Sequence, residues 1–552
     1  MAVQLPTVSD RYGADDVERF YRNGAWREET VADLVDRQAV ALGDALFATD
    51  STTRLSYAEL RDRSIRLAVG LRRSGIGRGD RVVVQLPNWT DFATVVAGIS
   101  RCGAIVVPVM PIYRHDEVGY VLADSGAKAA IIAKEFGGFD YGVMYETLAG
   151  DAPELTAVYL ARVTDGADGA KTLASLQVDG AIDELVAELG DPPSADDAHL
   201  IVYTSGTTSR PKGCVHTWNT LTFTARTMAT GLGWSSDDVA FGPSPITHAT
   251  GYMTSIIIPL FAGGKTHLVE AWDPVAAFDR ILEHGCTTSV TATVFLQMLI
   301  EAYDPEHHDA CSLRLWVAAG APIPPQAIRS AAEAFPTLEV LSLYGRSENM
   351  VTSMCKTGDD PELSLTSDGA APEGIEIRIV DEDGGDLPPG QPGDIAYRGP
   401  GHMLGYLGQP ALTEEMFTAS GFSQSGDLGV MNETGYVRVT GRTKDIIIRG
   451  GMNISAREIE ELILGHPNVK DVALIATPDE RLGERACACV VLDEGATMAL
   501  ADLVTYLRET HQLATQKLPE FLEVVAELPR TATGKVQKHL LFDMVRPTEV
   551  TI

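Results

Sequence analysis

The sequence predicts an α/β protein with a large N-terminal domain of parallel-sheet αβ units, a β subdomain, and a small α+β C-terminal domain. Three observations carry this. Helical patterns alternate with short β-branched runs from about residue 30 to 132 and again from 237 to 344, an arrangement that builds parallel strands joined by crossover helices. A Gly/Pro-rich, strand-rich section follows from about 369 to 440. Beyond it the pattern changes to a compact set of helices and strands, which parses as a separate C-terminal domain from about residue 445.

In the first block, VADLVDRQAVALG and YAELRDRSIRLAVGLRRSG have helical spacing, and RVVVQL, AIVVPV and AAIIA read as buried strands. Residues 148–197 are acidic, Ala-rich and weakly patterned, which predicts peripheral elements. HLIVYTS then runs as a strand into a Ser/Thr/Gly loop. FGPSPI, KTHLVE, TTSVTA, LRLWVAAG and LEVLSLYG are the strand candidates of the second block. EIRIV, DIAYRG and GYVRVTG fill the β subdomain. In the C-terminal unit EIEELILGH and LADLVTYLRETH read as helices, DVALIA and ACACVVL as strands.

At 552 residues the chain exceeds what one hydrophobic core serves. Its formal net charge of −32 argues against non-specific binding to nucleic acid or an anionic membrane. An anionic substrate would need a locally basic, backbone-rich site. No apolar run approaches the ~20 residues that span a bilayer, and a cytoplasmic protein is expected. The seven cysteines are scattered, matching neither a disulfide framework nor a zinc pattern, and read as structural thiols. Cys487 and Cys489, two apart in a strand, should share one face.

The chemistry concentrates in Thr204 to Gly213, TSGTTSRPKG. A strand feeding a turn of small and hydroxyl residues holds phosphates with inward backbone N–H groups. Thr204, Ser205, Thr207 and Thr208 add hydroxyl donors, Gly206 lets an anion approach, and Lys212 supplies a point charge. The loop is not the nucleoside-triphosphatase P-loop, whose Gly-Lys-Ser/Thr spacing it lacks. By composition alone, a surface Ser/Thr-rich turn is an equal reading.

TSGTTSRPKG is similar to the TSGTTGxPKG signature of the adenylate-forming (ANL) superfamily of acyl-CoA synthetases, luciferases and peptide-synthetase adenylation domains. Further motifs follow in the family's order. AAGAPIP, containing Gly320, Ala321 and Pro322, resembles the adenine-binding segment, and SLYGRSE, from Ser342 to Glu348, the tyrosine-to-glutamate motif. SGDLG resembles the ribose motif, GRTKD the interdomain hinge, and PRTATGK the terminal catalytic-lysine loop.

The resemblance implies an ANL fold and an acyl-CoA synthetase using ATP, Mg²⁺ and coenzyme A. It implies that Glu348 helps hold Mg²⁺, that Ser347 contacts the α-phosphate and that Asp427 accepts the ribose hydroxyls. Arg442 would reach ribose and phosphate oxygens, and Lys535 would bridge the acyl carboxylate and α-phosphate. Lys444 is the implied pivot of a small mobile C-terminal domain, dividing the chain into 1–443 and 444–552, and Arg449, Gly450 and Gly451 line the implied CoA tunnel. His248, Thr250, Gly251, Tyr344 and Gly345 border the implied acyl pocket. The wording of SPITHATGYM and its companions is closest to short- or medium-chain and cyclohexanecarboxylate-type CoA ligases, so a compact aliphatic or alicyclic acid is expected.

Two positions depart from the family. Ser209 stands where a glycine is usual, and a Cβ there opposes positive φ or close backbone approach. Arg346 stands where a smaller or uncharged residue is usual, and its guanidinium could pair with Glu348 in competition with Mg²⁺, or reach the adenylate phosphate. Both fall on the triphosphate side. They raise an alternative in which the protein only thioesterifies an acyl-adenylate supplied by a separate adenylating enzyme. Transfer to a carrier protein and a non-catalytic adenylate-binding role are further alternatives.

Overall fold

The computed structural model describes residues 4–163, 171–204, 210–308, 312–320, 325–449, 452–479, 481–531 and 534–544. Within them the alternation becomes two mainly parallel sheets. The seven-stranded sheet places Ala198–Tyr203, Ile105–Pro108, Arg81–Gln85, Ala129–Ala133 and Ala157–Ala161 side by side in parallel. Helices Thr90–Arg101 and His115–Ser125 return the chain between successive strands. Helix Thr90–Arg101 buries every residue except Asp91, as expected of a helix apolar on nearly all sides and covered on all of them. The preceding helix, Tyr57–Arg73, starts at a capping box. Ser56 Oγ accepts from Glu59 N at 3.2 Å, and Glu59 Oε2 accepts from Ser56 N at 2.9 Å.

The eight-stranded sheet has six central parallel strands: Glu339–Tyr344, Leu315–Ala319, Thr288–Thr291, Val239–Gly242, Lys265–Leu268 and Leu46–Thr49. Two short antiparallel strands, Ser353–Met354 and Arg54–Ser56, close its edges. A four-stranded antiparallel sheet between Glu376 and Arg442 forms the β subdomain. The last sheet joins Met452–Ser455, Ile446–Arg449, Gly483–Leu492, Val469–Asp479 and Phe521–Val524. Helices Ala456–Leu464 and Leu500–His511 pack on it around Ile459, Ile463, Leu474, Val490 and Leu503, a core of its own.

Three expectations need correction. FGPSPI is not a strand throughout: Val239–Gly242 ends as the prolines begin, because Pro243 and Pro245 have no N–H for a ladder. The weakly patterned stretch before residue 197 contributes Ala157–Ala161 as an edge strand of the seven-stranded sheet. Gly405–Tyr406 lies inside the span assigned to the β subdomain, yet pairs with Gly213–Thr217 of the seven-stranded sheet. That detour carries Tyr406 to the site. Cys487 and Cys489 are fully buried in one cluster with Leu541, and the six described cysteines are buried and unbridged. No described helix is long and apolar enough to cross a membrane.

Candidate active site

Crevices outside the carboxyl ends of parallel strands are where α/β sheets bind ligands. Here Ala292, Gly320 and Gly345 follow directly on the strands Thr288–Thr291, Leu315–Ala319 and Glu339–Tyr344, and all three line a cavity of about 900 Å³. Thr204, one residue beyond the strand Ala198–Tyr203, lines it as well. Its N–H donates to Lys212 O at 2.9 Å, while Lys212 N–H donates to Thr204 Oγ1 at 3.2 Å. The two feet of the phosphate-type loop are thereby clamped together, and Lys212 is held at the cavity wall. Its ammonium sits 4.6 Å from the centroid of the Tyr406 ring.

After Tyr344 the chain folds back within a few residues. Thr352 N–H returns to Tyr344 O at 2.8 Å, Met350 takes a positive φ of 58°, and Asn349 Nδ2 reaches Thr352 Oγ1 at 2.8 Å. This tight turn thrusts Arg346, Ser347 and Glu348 into the cavity. Buried His216 steadies it by donating from Nε2 to Ser347 O at 2.8 Å.

Arg346 is the hub. It forks onto Glu348 with Nη2–Oε1 at 3.1 Å and Nε–Oε2 at 3.3 Å. Its Nη1 donates to Asp427 Oδ2 at 3.1 Å and also to Ser425 O. Tyr406 OH adds a bond to Glu348 Oε1 at 2.7 Å. Burial alone would push the Glu348 carboxyl up, but Arg346 and Tyr406 outweigh it and hold the group at about 2. The guanidinium in turn is held further toward its charged form: burial opposes this, and Glu348, Tyr397 and Asp427 overcome it.

Asp427 and Arg442 are directly opposite on neighbouring strands, and Arg442 Nε lies 3.0 Å from Asp427 Oδ1. Tyr344 OH donates to Asp427 Oδ2 at 2.6 Å. Beneath them Asp394 accepts from Ser425 N and Gly426 N, both at 2.9 Å, and shapes the turn that presents Asp427. Burial pushes the Asp394 carboxyl up to about 6.

Lys535 enters from the C-terminal unit. Its loop closes on itself through Thr531 N–H to Lys535 O at 2.7 Å and Lys535 N–H to Thr531 Oγ1 at 3.1 Å. Gly534, with φ +82°, packs so closely that a Cβ would stand 3.0 Å from Val294 Cγ1. Burial, then the charge of Arg442, lowers the Lys535 ammonium to about 8. His248 lines the same cavity. Burial, then Lys535, lowers its imidazole to about 4, so it is neutral near pH 7. Its Nδ1 accepts from Thr250 N at 3.3 Å, which puts the ring proton on Nε2. Beyond it the helix widens into π turns over Tyr252–Ile257, and Met228, Met253, Val290 and Met298 add apolar side chains to the cavity lining.

Thr204, Lys212, His248, Thr250, Gly320, Tyr344, Gly345, Arg346, Ser347, Glu348, Asp427, Arg442 and Lys535 therefore meet around one cavity. Two expected site residues do not reach it. Gly251 packs against the carbonyl of Pro245, where a Cβ would have no room, and Arg449 pairs with Glu520 inside the C-terminal unit. Ser205, Gly206, Thr207, Thr208, Ser209, Ala321, Pro322, Gly450 and Gly451 lie outside the described residues, and Lys444 is described only in its backbone, within the single turn Thr443–Asp445. Tyr406, His216 and Asp394 were not anticipated, since none sits in a motif with chemistry of its own.

A magnesium ion fits this donor set in one way. Glu348 is ionised, and its Oε2 has only the Arg346 contact. No cluster of three metal-binding side chains exists among the described residues. A single carboxylate plus substrate phosphates and water is the usual arrangement for this cation.

The family model "AMP-binding enzyme" matches residues 30–407, and "AMP-binding enzyme C-terminal domain" matches 458–535. A medium-chain fatty-acid–CoA ligase of Escherichia coli (strain K12) is 32% identical over 532 residues, spanning 95% of this chain and 91% of its own. A salicyl-AMP ligase / salicyl-S-ArCP synthetase of Mycobacterium tuberculosis is 32% identical over 546 residues, spanning 96% of this chain and 93% of its own. Among solved structures, ATP-bound MatB from Rhodopseudomonas palustris superimposes with a TM-score of 0.79 at 28% identity, covering 93% of this chain and 98% of that one.

Proposed function

The chain belongs to the AMP-binding enzyme family, whose members of this kind are AMP-forming acid–thiol ligases, and from that premise we propose that it converts a compact aliphatic or alicyclic carboxylic acid to its CoA thioester through an acyl-adenylate. The observation that carries this reading is the position of Lys535. A desolvated ammonium from the C-terminal unit faces the same cavity as Ser347, Glu348, Asp427 and His248.

In the first half-reaction an oxygen of the acid carboxylate attacks the α-phosphorus of ATP, and the bond to pyrophosphate breaks. Two anions must meet, and catalysis is largely positioning and charge neutralisation. Lys535 bridges the carboxylate and the α-phosphate, while Ser347 contacts that phosphate. Asp427 receives the ribose hydroxyls at Oδ1, where Arg442 is its one described partner, and Gly320 and Tyr344 border the base, next to the Ala321 and Pro322 that the family resemblance assigns to adenine. The pyrophosphate lies against Lys212 and the loop that carries Thr204, Ser205, Gly206, Thr207 and Thr208. Glu348 would hold Mg²⁺, which when bound would supply charge neutralisation. His248 offers Nε2–H at the acyl end, where Met228, Met253 and Met298 provide soft walls suited to a small apolar body.

In the second half-reaction the CoA sulfur attacks the acyl carbonyl, AMP leaves and the thiol proton is released. Rotation of residues 444–552 about Lys444 would withdraw Lys535 and bring Arg449, Gly450 and Gly451 to the pantetheine arm, with Arg449 exchanging Glu520 for a CoA phosphate. A panel of medium-chain, alicyclic and aromatic acids, each with ATP, Mg²⁺ and CoA, tests the reading through AMP and thioester release. Turnover restricted to aromatic acids would overturn the substrate class.

One observation favours a second reading. Arg346 already occupies Glu348 and Asp427, the carboxylates assigned to metal and ribose, so the first half-reaction could be weak and the acyl-adenylate supplied by another enzyme. Supplying either ATP plus acid or preformed acyl-adenylate, each with CoA, separates the two. Comparable thioester yields from both mixtures would exclude it.

A further inference from the structure

Three cationic side chains, Arg346, Arg442 and Lys535, face two carboxylates, Glu348 and Asp427, at this site. These five groups keep one formal positive charge, matching the single negative charge on the phosphate of an acyl-adenylate, and Lys212, on the Thr204 side of the same cavity, adds one more cation. A triphosphate brings several negative charges more. The cations around Arg346 are thus matched to an adenylate, and Lys212 alone does not offset the added charge of ATP unless a further cation arrives.

We propose that Arg346 is a nucleotide-selecting residue: its guanidinium bridges Glu348 and Asp427 as a built-in counter-cation, so that an adenylate is held without metal whereas ATP must recruit Mg²⁺ against it. The inference rests on the adenylate reading of the cavity. Four of the five guanidinium N–H groups are engaged, two by Glu348, one by Asp427 and one by Ser425 O. The remaining Nη2–H has no described partner and is available to a phosphate oxygen. Both oxygens of Glu348 are bound by the same fork. A metal ion approaching Glu348 therefore meets a fixed positive charge on the carboxylate it needs, and loosening the fork leaves a largely buried guanidinium with fewer acceptors. A lysine could not replace this device, since one ammonium cannot present a planar fork to Glu348 while reaching Asp427 and Ser425.

The test is equilibrium binding by calorimetry with the full-length protein and two variants, Arg346→Gln and Arg346→Lys. AMP is titrated in the presence of chelator, and ATP is titrated across a range of Mg²⁺ concentrations. The wild type should bind AMP equally well with chelator or Mg²⁺. Arg346→Gln should weaken metal-free AMP binding roughly tenfold, in line with loss of charge-assisted hydrogen bonds, and should lower the Mg²⁺ concentration that half-saturates ATP binding. Arg346→Lys keeps the charge and guards against misfolding, with its melting curve as control; it should fall between wild type and Arg346→Gln in both titrations. An unchanged or higher Mg²⁺ requirement in both folded variants overturns the proposal. A wild type that binds neither AMP nor Mg²⁺-ATP overturns instead the adenylate reading beneath it.

Discussion

Tyr406 donates its hydroxyl to Glu348 Oε1 at 2.7 Å while its ring lies 4.6 Å from the ammonium of Lys212. One side chain therefore ties the phosphate-loop lysine to the carboxylate assigned to the metal. Tyr406→Phe keeps the ring and removes the bond, leaving a buried carboxylate with one donor fewer. The cost should be about 1–3 kcal/mol of stability. Glu348 should titrate above its present value of about 2, because the lost hydrogen bond had favoured its charged form. Urea unfolding between pH 3 and 7 checks both: the deficit of Tyr406→Phe should be largest near neutrality and shrink toward acid. A pH-independent deficit would argue that Tyr406 acts through packing alone.

Lys535 gives a sign-defined pH dependence. Its ammonium is depressed from about 10.5 to about 8 in the free protein, chiefly by burial. The folded chain therefore binds fewer protons than the unfolded chain between those values, and this group's contribution makes stability rise with pH across that window. Activity moves the other way. If the ammonium is the required form, kcat/KM for ATP–pyrophosphate exchange should fall as pH passes about 8. The limb in kcat should lie higher, since bound phosphate favours the charged form. Lys535→Ala should lower exchange by roughly a hundredfold or more. A basic limb that persists unshifted in Lys535→Arg would assign it to another group.

Gly345 marks where sequence resemblance and packing make the same demand. A Cβ there would lie 2.0 Å from Met350 O and 2.8 Å from its carbonyl carbon. Both are backbone atoms of the turn that holds Arg346 to Glu348, so no side-chain rotation relieves the clash. Gly345→Ala should cost about 1–3 kcal/mol and abolish metal-free AMP binding through displacement of the turn. Wild-type denaturation midpoint and AMP affinity in this variant would show that the turn can open without consequence.

Much of the architecture is legible in the sequence because its signals are local. Continuous apolar runs such as AAIIA become buried parallel strands, and the helical spacing of YAELRDRSIRLAVGLRRSG becomes the helix Tyr57–Arg73. The motifs also announce the charged and phosphate-facing part of the cavity wall, although what they carry is order along the chain and not contact. Arg346 and Glu348 are two residues apart, so their pairing could be anticipated. The bond from Arg346 to Asp427 crosses 81 residues, and that from Tyr406 to Glu348 crosses 58. His216 reaches Ser347 across 131. Those contacts depend on which sheet Gly405–Tyr406 joins and on where the Gly213–Thr217 strand lies, both products of tertiary packing. Ala157–Ala161 was missed for a related reason: AVYLA is apolar at every position, so its alternating burial leaves no alternation in the sequence, and sheet membership is decided by the neighbour Ala129–Ala133.

The last prediction concerns how Lys535 is kept in the cavity. Arg438 and Asp368, on the N-terminal side of the hinge, face Arg457 and Glu461 on the other side. Glu461 Oε1 lies 3.1 Å from Arg438 Nη2 and 3.0 Å from Arg457 Nε, so one carboxylate oxygen joins both arginines. Arg438 Nη1 and Arg457 Nη2 each stop 3.9 Å from Asp368, beyond hydrogen-bond reach, and neither buried donor has a partner. Asp368 is meanwhile occupied by Ser342 Oγ at 3.1 Å and Val439 N at 2.8 Å. Two cations thus depend mainly on Glu461 to meet across the domain boundary. Glu461→Gln removes the charge that reconciles them, and the C-terminal unit should leave this orientation more often. If adenylation uses Lys535 in the cavity and thioester formation uses the rotated domain, as proposed, adenylation should fall several-fold, whereas thioester formation from preformed acyl-adenylate should hold or rise. Pyrophosphate exchange and single-turnover thioesterification on the same preparation measure the two. An equal loss in both would assign Glu461 to stability and not to domain orientation.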